Sequence, residues 1–219
     1  MKTTGHIGEG IFLVKDVAEI LHLPLPKVRR WLIEFWESRF APKDHRYSFG
    51  EPNNRAVNFF TLIEFITFAM LRDQGFSSQR IQKFHKMLAE EMNTPYPFAK
   101  TKLLTDKKKV WYTKFNELVC IDGKRQLSLI KILSPYLNKI DFDADTVALR
   151  YFPAGKKSTV VIDPKHQFGQ PTIVGTNIKV ETIYSLYQGK EPMDNICNLY
   201  DLTPKQVKDA VSYCRKLAA

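Results

Sequence analysis

The first hundred residues alternate short apolar stripes with polar turns, a pattern typical of packed helices. Residues 14–21 and 26–35 each place apolar side chains three or four positions apart, which predicts two amphipathic helices. The stretch 22–24 separates them, because its proline cannot continue a helix. Residues 61–74 predict a strongly apolar third helix that ends at Gly75, and Ser77 is placed to cap a fourth.

Residues 40–60 carry glycine, proline and asparagine turn signals between short aromatic runs, which predicts a two-stranded wing. Upstream of it, Pro26 can open the second helix, and Lys27, Arg29 and Arg30 point outward near the start of that helix. In a helix set into the major groove of DNA, residues at this position reach base edges and flanking phosphates. The competing interpretation is that these three residues are solvated surface charges.

A second set of helix signals fills the last quarter of the chain. An extended segment at 172–174 runs into a turn at 175–177, and three helical stripes follow. Gly189 is expected to take the left-handed conformation that closes the first of these helices. Thr203 is placed to cap the last helix, and Pro204 suits its first turn. Short helices joined by a tight turn predict a three-helix, helix-turn-helix-like domain.

Between these two parts the pattern becomes β-rich and basic. Strands are predicted at 110–115, 118–121, 146–152 and 158–162, with a helix at 126–137 and a hairpin turn at 153–156. The 219-residue chain has a formal net charge of +10, and residues 96–162 carry +7 of it. Such a surface favours an anionic partner, without deciding between DNA, RNA, an acidic protein and a membrane surface.

Cysteine usage bears on the cellular compartment. Cys120, Cys197 and Cys214 form no CxxC pair, and the first ten residues lack an apolar signal core. Reduced thiols in a cytoplasmic protein are therefore expected.

Catalytic signatures are absent from the sequence. The five histidines are isolated, and no glycine-rich phosphate loop occurs, so no enzyme activity, metal or cofactor is expected. The chain carries alternating carboxylates at Asp141, Asp143 and Asp145. On one face of a strand, such carboxylates can hold the metal of a metal-dependent nuclease, so this function is kept as an alternative. The competing interpretation is that these aspartates discourage pairing at a strand edge.

Residues 10–92 resemble the DNA-binding domain of the MerR family. The matching stretches are VKDVAEILHL with KVRRWL for the first two helices, Arg46, Tyr47 and Arg55 in the wing, and LRDQGFSSQRIQKF for the helix, glycine and helix that follow. The resemblance implies a winged helix-turn-helix in which Lys27, Arg29 and Arg30 contact DNA and the three wing residues hold its backbone.

The chain departs from the MerR pattern after Met92. MerR regulators continue into a long helix that makes the dimer, whereas Pro95 and Pro97 stop the pattern in this chain. Dimerisation is therefore expected elsewhere. The C-terminal helices offer the interface through Tyr184, Tyr187, Ile196 and Tyr200, although a core role for each is equally natural.

The last quarter of the chain resembles the bacterial family catalogued as domain of unknown function four-hundred-thirty-three. One departure is Asn177, where that family usually has arginine. The family occurs in antitoxins of VapBC-like pairs, beside genes for PIN-like ribonuclease toxins, and this implies a toxin partner. The matching residues are Pro171, Ile173, Gly175, Thr176, Ile178, Val180, Gly189, Ile196, Tyr200, Leu202, Thr203, Val207, Ala210 and Tyr213.

PIN-like nucleases gather carboxylates to hold divalent metal, so the basic middle region is the part expected to cover their active site. Its lysine run and neighbouring aromatics also fit a nucleic-acid patch, or a solvated turn before a half-buried strand. The expected toxin-binding residues are Lys107, Lys108, Lys109, Trp111, Tyr112, Lys124, Arg125, Lys156 and Lys157.

The sequence therefore predicts an α+β fold with a MerR-like winged helix-turn-helix at 1–95, a basic β-rich region at 96–162 and a helical antitoxin-associated domain at 163–219. The expected function is a homodimeric, DNA-binding antitoxin that represses its own operon. The alternatives are a transcription regulator without a toxin and a metal-dependent nuclease.

Overall fold

The computed structural model describes residues 8–43, 45–100, 136, 138–143 and 147–217. Its N-terminal lobe combines short strands with helices in the predicted order. The elements are β1 (Phe12–Leu13), α1 (Val14–Leu21), α2 (Leu25–Trp31), a π-helix (Leu32–Phe40), β2 (Ser48–Phe49), β3 (Ala56–Val57), α3 (Phe59–Asp73) and α4 (Ser78–Met92).

Local signals set the ends of these helices. His22 adopts a left-handed conformation (φ 52°) after α1, and Pro24 follows as the N-cap of α2. The side chain of Asn58 caps α3 by accepting a hydrogen bond from the N–H of Thr61 at 2.9 Å. Gly75 has φ 86° between α3 and α4, so the predicted glycine stop is confirmed.

The predicted wing is an antiparallel hairpin of β2 and β3, and β1 adds a third strand in the order β1-β3-β2. Its turn needs a glycine at Gly50, where φ is 88° and a Cβ would lie 2.7 Å from the carbonyl oxygen of Asn54. Because β1 runs directly into α1, the hairpin is joined to the helices through this strand.

Aromatic side chains fill the N-terminal core. Trp36 stacks on Phe65 with ring centroids 3.8 Å apart, and Phe68 meets Trp36 edge-on at 5.1 Å. The core also takes in a buried carboxylate, Glu64, with His85 as its partner. The sequence places Glu64 in the apolar run of α3, and the structure turns it inward with that run.

The middle region supplies β4 (Ile140–Phe142) and β5 (Ala148–Tyr151), which pair antiparallel. Tyr136, Ile140 and Tyr151 pack into the N-terminal core. The strand predictions at 146–152 and 158–162 are confirmed, although β5 pairs with β4 and meets the later segment only through a bridge from Tyr151 to Ile162. The predicted strands at 110–115 and 118–121 lie outside the described residues, as does most of the helix at 126–137.

The C-terminal lobe packs three helices on a two-stranded sheet. Its separate core includes Val160, Ile183, Ile196 and Val207. With both lobes combining helices and small sheets, the α+β fold class is confirmed. The elements are β6 (Val160–Val161), a 3₁₀ turn (Gln167–Gly169), β7 (Thr172–Ile173), α5 (Val180–Gln188), α6 (Met193–Tyr200) and α7 (Pro204–Leu217).

The helix ends of this lobe confirm one prediction and correct another. Thr203 and Gln206 form a capping box, because the Thr203 hydroxyl accepts from the Gln206 N–H at 3.3 Å and the Gln206 side chain accepts from the Thr203 N–H at 2.8 Å. Gly189, however, has φ −68°, and Lys190 takes the left-handed conformation (φ 64°). The α5 helix runs one residue further than expected, so the reversal falls after the glycine.

The two lobes touch through the 3₁₀ turn. The N–H of Ile11 donates to the carbonyl oxygen of Phe168 at 2.8 Å. Gly169 lies against the ring of Phe12, since a Cβ on this glycine would stand 2.4 Å from the ring. In the part of the chain that the structure describes, no helix is both long and apolar enough to cross a bilayer.

Candidate nucleic-acid interface

The last turn of α2 presents two basic side chains to solvent, whereas the sequence predicts them near the start of that helix. Val28 and Trp31 are buried beneath it, which fixes the helix on the core and leaves Arg29 and Arg30 exposed. Lys27 is half-buried, with its Nζ 5.1 Å from the centroid of the Trp31 ring. A cation over an aromatic face is attracted by the ring quadrupole, so Lys27 is partly committed to this contact.

The three basic residues of α2 lie on two different faces. Arg29 lines a groove of about 290 Å³ together with Ile33 of the π-helix and residues 52–55 of the hairpin turn. Arg55 belongs to the same groove. The structure therefore brings one predicted helix residue and one predicted wing residue together.

Lys27 and Arg30 line a second groove on the other side of α2. Its walls include Trp31, Glu34 and Asp73. Because Glu34 and Asp73 are acidic, this second groove carries both positive and negative charges. The groove shared by Arg29 and Arg55 has no acidic lining residue among those that the structure describes.

The wing residues differ in their exposure. Arg46 is exposed and Arg55 half-buried, whereas Tyr47 is only 2% exposed. The Tyr47 hydroxyl donates to the carbonyl oxygen of Pro95 at 2.6 Å, and burial raises the pKa of Tyr47 well above its ordinary value. Tyr47 thus anchors the wing to the core. Of the three predicted wing residues, only the two arginines have side chains that reach solvent.

Charge neutralisation is weak at this surface. Within the described ranges, none of Arg29, Arg30, Arg46 and Arg55 makes a salt bridge to a carboxylate. An unpaired guanidinium is free to bind a phosphate or a guanine edge with its forked donors. Arg39 differs, because it is 3.1 Å from Glu34.

The predicted toxin-binding residues are described only in part. Lys107, Lys108, Lys109, Trp111, Tyr112, Lys124 and Arg125 lie outside the described residues. Lys156 is exposed, and its Nζ is 2.6 Å from an Asp141 oxygen. Lys157 is exposed, and its carbonyl oxygen accepts a hydrogen bond from Lys205 at 2.8 Å.

The aspartates considered for a nuclease serve structural contacts. Asp141 pairs with Arg150 at 2.8 Å as well as with Lys156, and Asp143 accepts from the N–H of Val147 at 2.8 Å. Asp145 lies outside the described residues. Among the residues that the structure describes, no three His, Cys, Asp or Glu side chains come together as metal ligands.

The four residues considered for a dimer interface separate by burial. Ile196 is fully buried in the C-terminal core, so its side chain is not part of the surface. Tyr184, Tyr187 and Tyr200 are half-buried. The Tyr187 hydroxyl accepts a hydrogen bond from Arg215 at 2.8 Å, and the same guanidinium carbon is 5.0 Å from the ring centroid.

Sequence reasoning missed two features. The Glu64 and His85 pair joins helices whose packing no local pattern reveals, and the only signal is a lone carboxylate in an apolar run. Phe168 is 68% exposed, and its signal is a single aromatic residue between polar and glycine neighbours.

Parts of the chain are similar in sequence to known proteins. Residues 160–214 match the family described as "Protein of unknown function (DUF433)". "Uncharacterized protein Rv2308" of Mycobacterium tuberculosis is 37% identical over 57 residues, which is 26% of this chain and 24% of that protein. "Putative antitoxin VapB45" of the same organism is 28% identical over 82 residues, 37% of this chain and 34% of that protein.

The chain thus spans about a quarter to a third of the length of these curated relatives. Across almost its whole length it shares the fold of a solved structure, the crystal structure of Rv2018 from Mycobacterium tuberculosis. That match has a TM-score of 0.72 at 20% identity and covers 91% of this chain and 96% of the other. The C-terminal family match and the similarity to a protein named as an antitoxin together support a relationship to an antitoxin-like family.

Proposed function

We propose that this protein is a DNA-binding antitoxin that neutralises a PIN-like ribonuclease toxin and represses its own operon. The observation that carries the proposal is the 82-residue similarity to a protein named as an antitoxin. The groove that joins Arg29 to the hairpin supports the DNA-binding half. The MerR resemblance of residues 10–92 agrees with this geometry.

In this proposal α2 enters the major groove and the hairpin follows the DNA backbone. Arg29 and Arg30 are exposed in the last turn of α2. Because the chain continues directly into the π-helix (Leu32–Phe40), both lie in the first half of one continuous helical segment, the part of a recognition helix that approaches base edges. Arg46 and Arg55 on the hairpin suit phosphate oxygens, since neither is neutralised within the described ranges. Lys27 contributes charge from its position over Trp31.

The nuclease partner is proposed to meet the basic middle region. Lys157 is exposed, whereas Lys156 is engaged with Asp141 and adds less free charge. The remaining residues proposed for this contact are Lys107, Lys108, Lys109, Lys124 and Arg125, with Trp111 and Tyr112 as apolar anchors. Charges at the rim speed association, and a buried anchor holds the complex together.

A homodimer is part of the proposal, because paired half-sites on DNA match a two-fold axis. Tyr184, Tyr187 and Tyr200 are half-buried and stay in the proposed interface. Ile196 is left out of it because its side chain lies in the core.

A specific cleft favours one alternative, a transcription regulator that responds to a small molecule and has no toxin. The cleft has a volume of about 520 Å³ and lies between α1 and the helices α5 and α7, with Ile20, Tyr184 and Leu217 among its lining residues. Ligand sites often lie at such junctions and have comparable volumes. The product of the neighbouring reading frame distinguishes the two functions, because only an antitoxin requires a nuclease there.

Two measurements test the proposal. The first is binding of the full chain to its own promoter, compared with a variant in which Lys27, Arg29 and Arg30 are all alanine. The proposal expects the variant to lose specific binding, and an unchanged affinity would contradict the α2 assignment. The second is copurification with the neighbouring gene product, where an active, unbound nuclease would exclude the antitoxin function.

A further inference from the structure

The turn that joins the two lobes has an unusual backbone. Gln167, Phe168 and Gly169 have φ values of 47°, 55° and 89° in succession. Glycine adopts such values readily, but a bulky side chain at positive φ is unfavourable because its Cβ crowds the carbonyl oxygen. A phenylalanine is therefore held where the backbone would favour glycine or asparagine.

The same turn displays the phenylalanine side chain to solvent. Phe168 is 68% exposed, and Ile11, whose N–H donates to the Phe168 carbonyl, is 42% exposed. Burying an aromatic ring is favourable, so core packing does not account for this arrangement. Strain that leaves an apolar side chain exposed is typical of a residue selected for binding.

Contacts on the inner side of the turn fix this conformation. Gly169 lies against the Phe12 ring with no room for a Cβ. Asn177 accepts a hydrogen bond from Gln167 Nε2 through its backbone oxygen at 3.0 Å, and its side-chain oxygen is 2.6 Å from Nδ1 of His166. The ring is thus presented on a preorganised turn, which lowers the entropy lost on binding.

Basic and neutral polar groups flank the exposed ring. Lys165 and His166 are exposed just before it, but Nε2 of His166 is 3.9 Å from the Asp163 carboxylate, so Lys165 is the free charge. Asp163 is buried and accepts from the N–H of Lys165 at 2.9 Å. A partner surface that complements this arrangement has an apolar pocket for the ring and carboxylates around the pocket.

We infer that Phe168, with Ile11 beside it, is the anchor that enters an apolar pocket of the nuclease partner, next to the carboxylates of that enzyme. The inference rests on the proposed antitoxin function. It assigns an anchor at the lobe junction, separate from Trp111 and Tyr112. Lys165 faces the acidic rim of the pocket.

The test measures the affinity of the full chain for the neighbouring gene product, using Phe168→Ala, Phe168→Asn and the control Leu199→Ala. Leu199 lies on α6 and is also 68% exposed, so it matches Phe168 in apolar exposure. The Phe168 variants are expected to raise the dissociation constant about 30-fold or more, as loss of a binding hot spot does. Leu199→Ala is expected to leave it within about 3-fold.

The asparagine variant separates binding from folding. Asparagine tolerates positive φ, so Phe168→Asn is expected to match or exceed the thermal stability of the parent while binding the nuclease weakly. Promoter affinity is expected to be unchanged. A Phe168→Asn protein that is less stable than the parent would instead show that the ring supports the fold, against the inference.

Other outcomes separate the inference from the function. Equal nuclease affinity of the parent and the Phe168 variants overturns the anchor and leaves the antitoxin function standing. A parent chain that does not bind the nuclease overturns both. If sedimentation shows a dimer that Phe168→Ala dissociates while nuclease binding is unchanged, the ring binds a second copy of the chain, and the inference is wrong.

Discussion

His85 and Glu64 meet inside the N-terminal core, with Nε2 of the histidine 2.9 Å from a carboxylate oxygen and both side chains almost entirely screened from solvent. The second oxygen of Glu64 accepts hydrogen bonds from the N–H groups of Phe98 and Ala99 at 2.7 and 3.1 Å. Burial raises the pKa of Glu64, while the histidine and these hydrogen bonds oppose that rise. One carboxylate thus ties α3 to α4 and to the segment that follows α4.

Replacing that carboxylate tests its structural role. Glu64→Leu leaves two N–H groups and an imidazole without their acceptor, and removing one partner of a buried polar pair typically costs about 3 to 5 kcal/mol. Chemical denaturation is expected to show a loss of this size in the free energy of unfolding. Glu90→Leu, at an exposed position of α4, serves as the control and should change it by about 0.5 kcal/mol or less. Equal losses in both variants would contradict a special role for Glu64.

The groove between α2 and the hairpin predicts coupled effects on DNA binding. Arg29→Ala and Arg55→Ala should each weaken promoter affinity. The loss should be about 1 to 3 kcal/mol where the arginine contacts a base. Where the arginine contacts a phosphate, the affinity of the variant should depend less steeply on salt concentration. Because both residues line one groove, their double variant should deviate from additivity. Arg39→Ala is the matched control, since Glu34 already neutralises that exposed arginine. Titrations at several salt concentrations measure these effects.

Asp209 on α7 predicts a pH dependence of stability. It accepts hydrogen bonds from the N–H and hydroxyl of Thr159 and from Lys205. Partial burial alone would raise the pKa of Asp209, but these hydrogen bonds and the Lys205 charge outweigh burial and leave the pKa below its ordinary value of 3.8. A carboxyl group with a lowered folded pKa stabilises the fold above pH 3.8, and the stabilisation is lost as the pH falls through the folded pKa.

The matching variant is Asp209→Asn. At neutral pH it should be less stable than the parent by up to about 1 kcal/mol, because Lys205 is exposed and solvent screens the charge pair. This difference should shrink as the pH falls below about 4, when the parent carboxylate takes up its proton. Asp194→Asn, on the exposed face of α6, is the control. A difference that grows in acid would contradict the assignment.

Alanine substitutions at two glycines can distinguish the cost of a left-handed backbone from the cost of steric crowding. Gly155 and Gly169 have φ values of 86° and 89°, but a Cβ meets nothing within 4 Å at Gly155 and lies 2.4 Å from the Phe12 ring at Gly169. Alanine at either position should cost about 1 to 2 kcal/mol for the left-handed conformation. Gly169→Ala should lose about 1 to 3 kcal/mol more through overpacking. Thermal unfolding of both variants checks this, and equal losses would show that the Phe12 contact is unimportant.

Sequence reasoning succeeded where a local signal decides the structure. Gly75, Thr203 and Pro24 act within a few residues of their own positions, so the helix ends that depend on them could be predicted. The MerR resemblance predicts Tyr47 on the DNA side, and that prediction is wrong because the Tyr47 hydroxyl donates to the carbonyl oxygen of Pro95, a distant contact that no local pattern reveals. The division of Arg29 and Arg30 between two grooves likewise depends on where the hairpin and α3 pack around α2.

The shift from Gly189 to Lys190 has a different origin. Both residues suit the end of α5, and the choice between them depends on how Glu191 and Lys190 donate back to the carbonyls of Leu186 and Tyr187. Glycine signals that a helix ends nearby, but it does not fix which of two adjacent residues turns left-handed.

The stacked aromatic core has an optical consequence. Trp31 and Trp36 both belong to the N-terminal core, Trp111 precedes the C-terminal lobe, and no tryptophan follows it in the sequence. Tyrosines, by contrast, occur in both cores. In a Trp111→Phe variant, tryptophan emission therefore comes from the N-terminal core alone, while the tyrosine circular dichroism band reports on both lobes. Melting curves that separate would show that the two lobes unfold independently, and a wider separation in a Gly169→Ala variant would show that the contact between Gly169 and Phe12 helps to couple them.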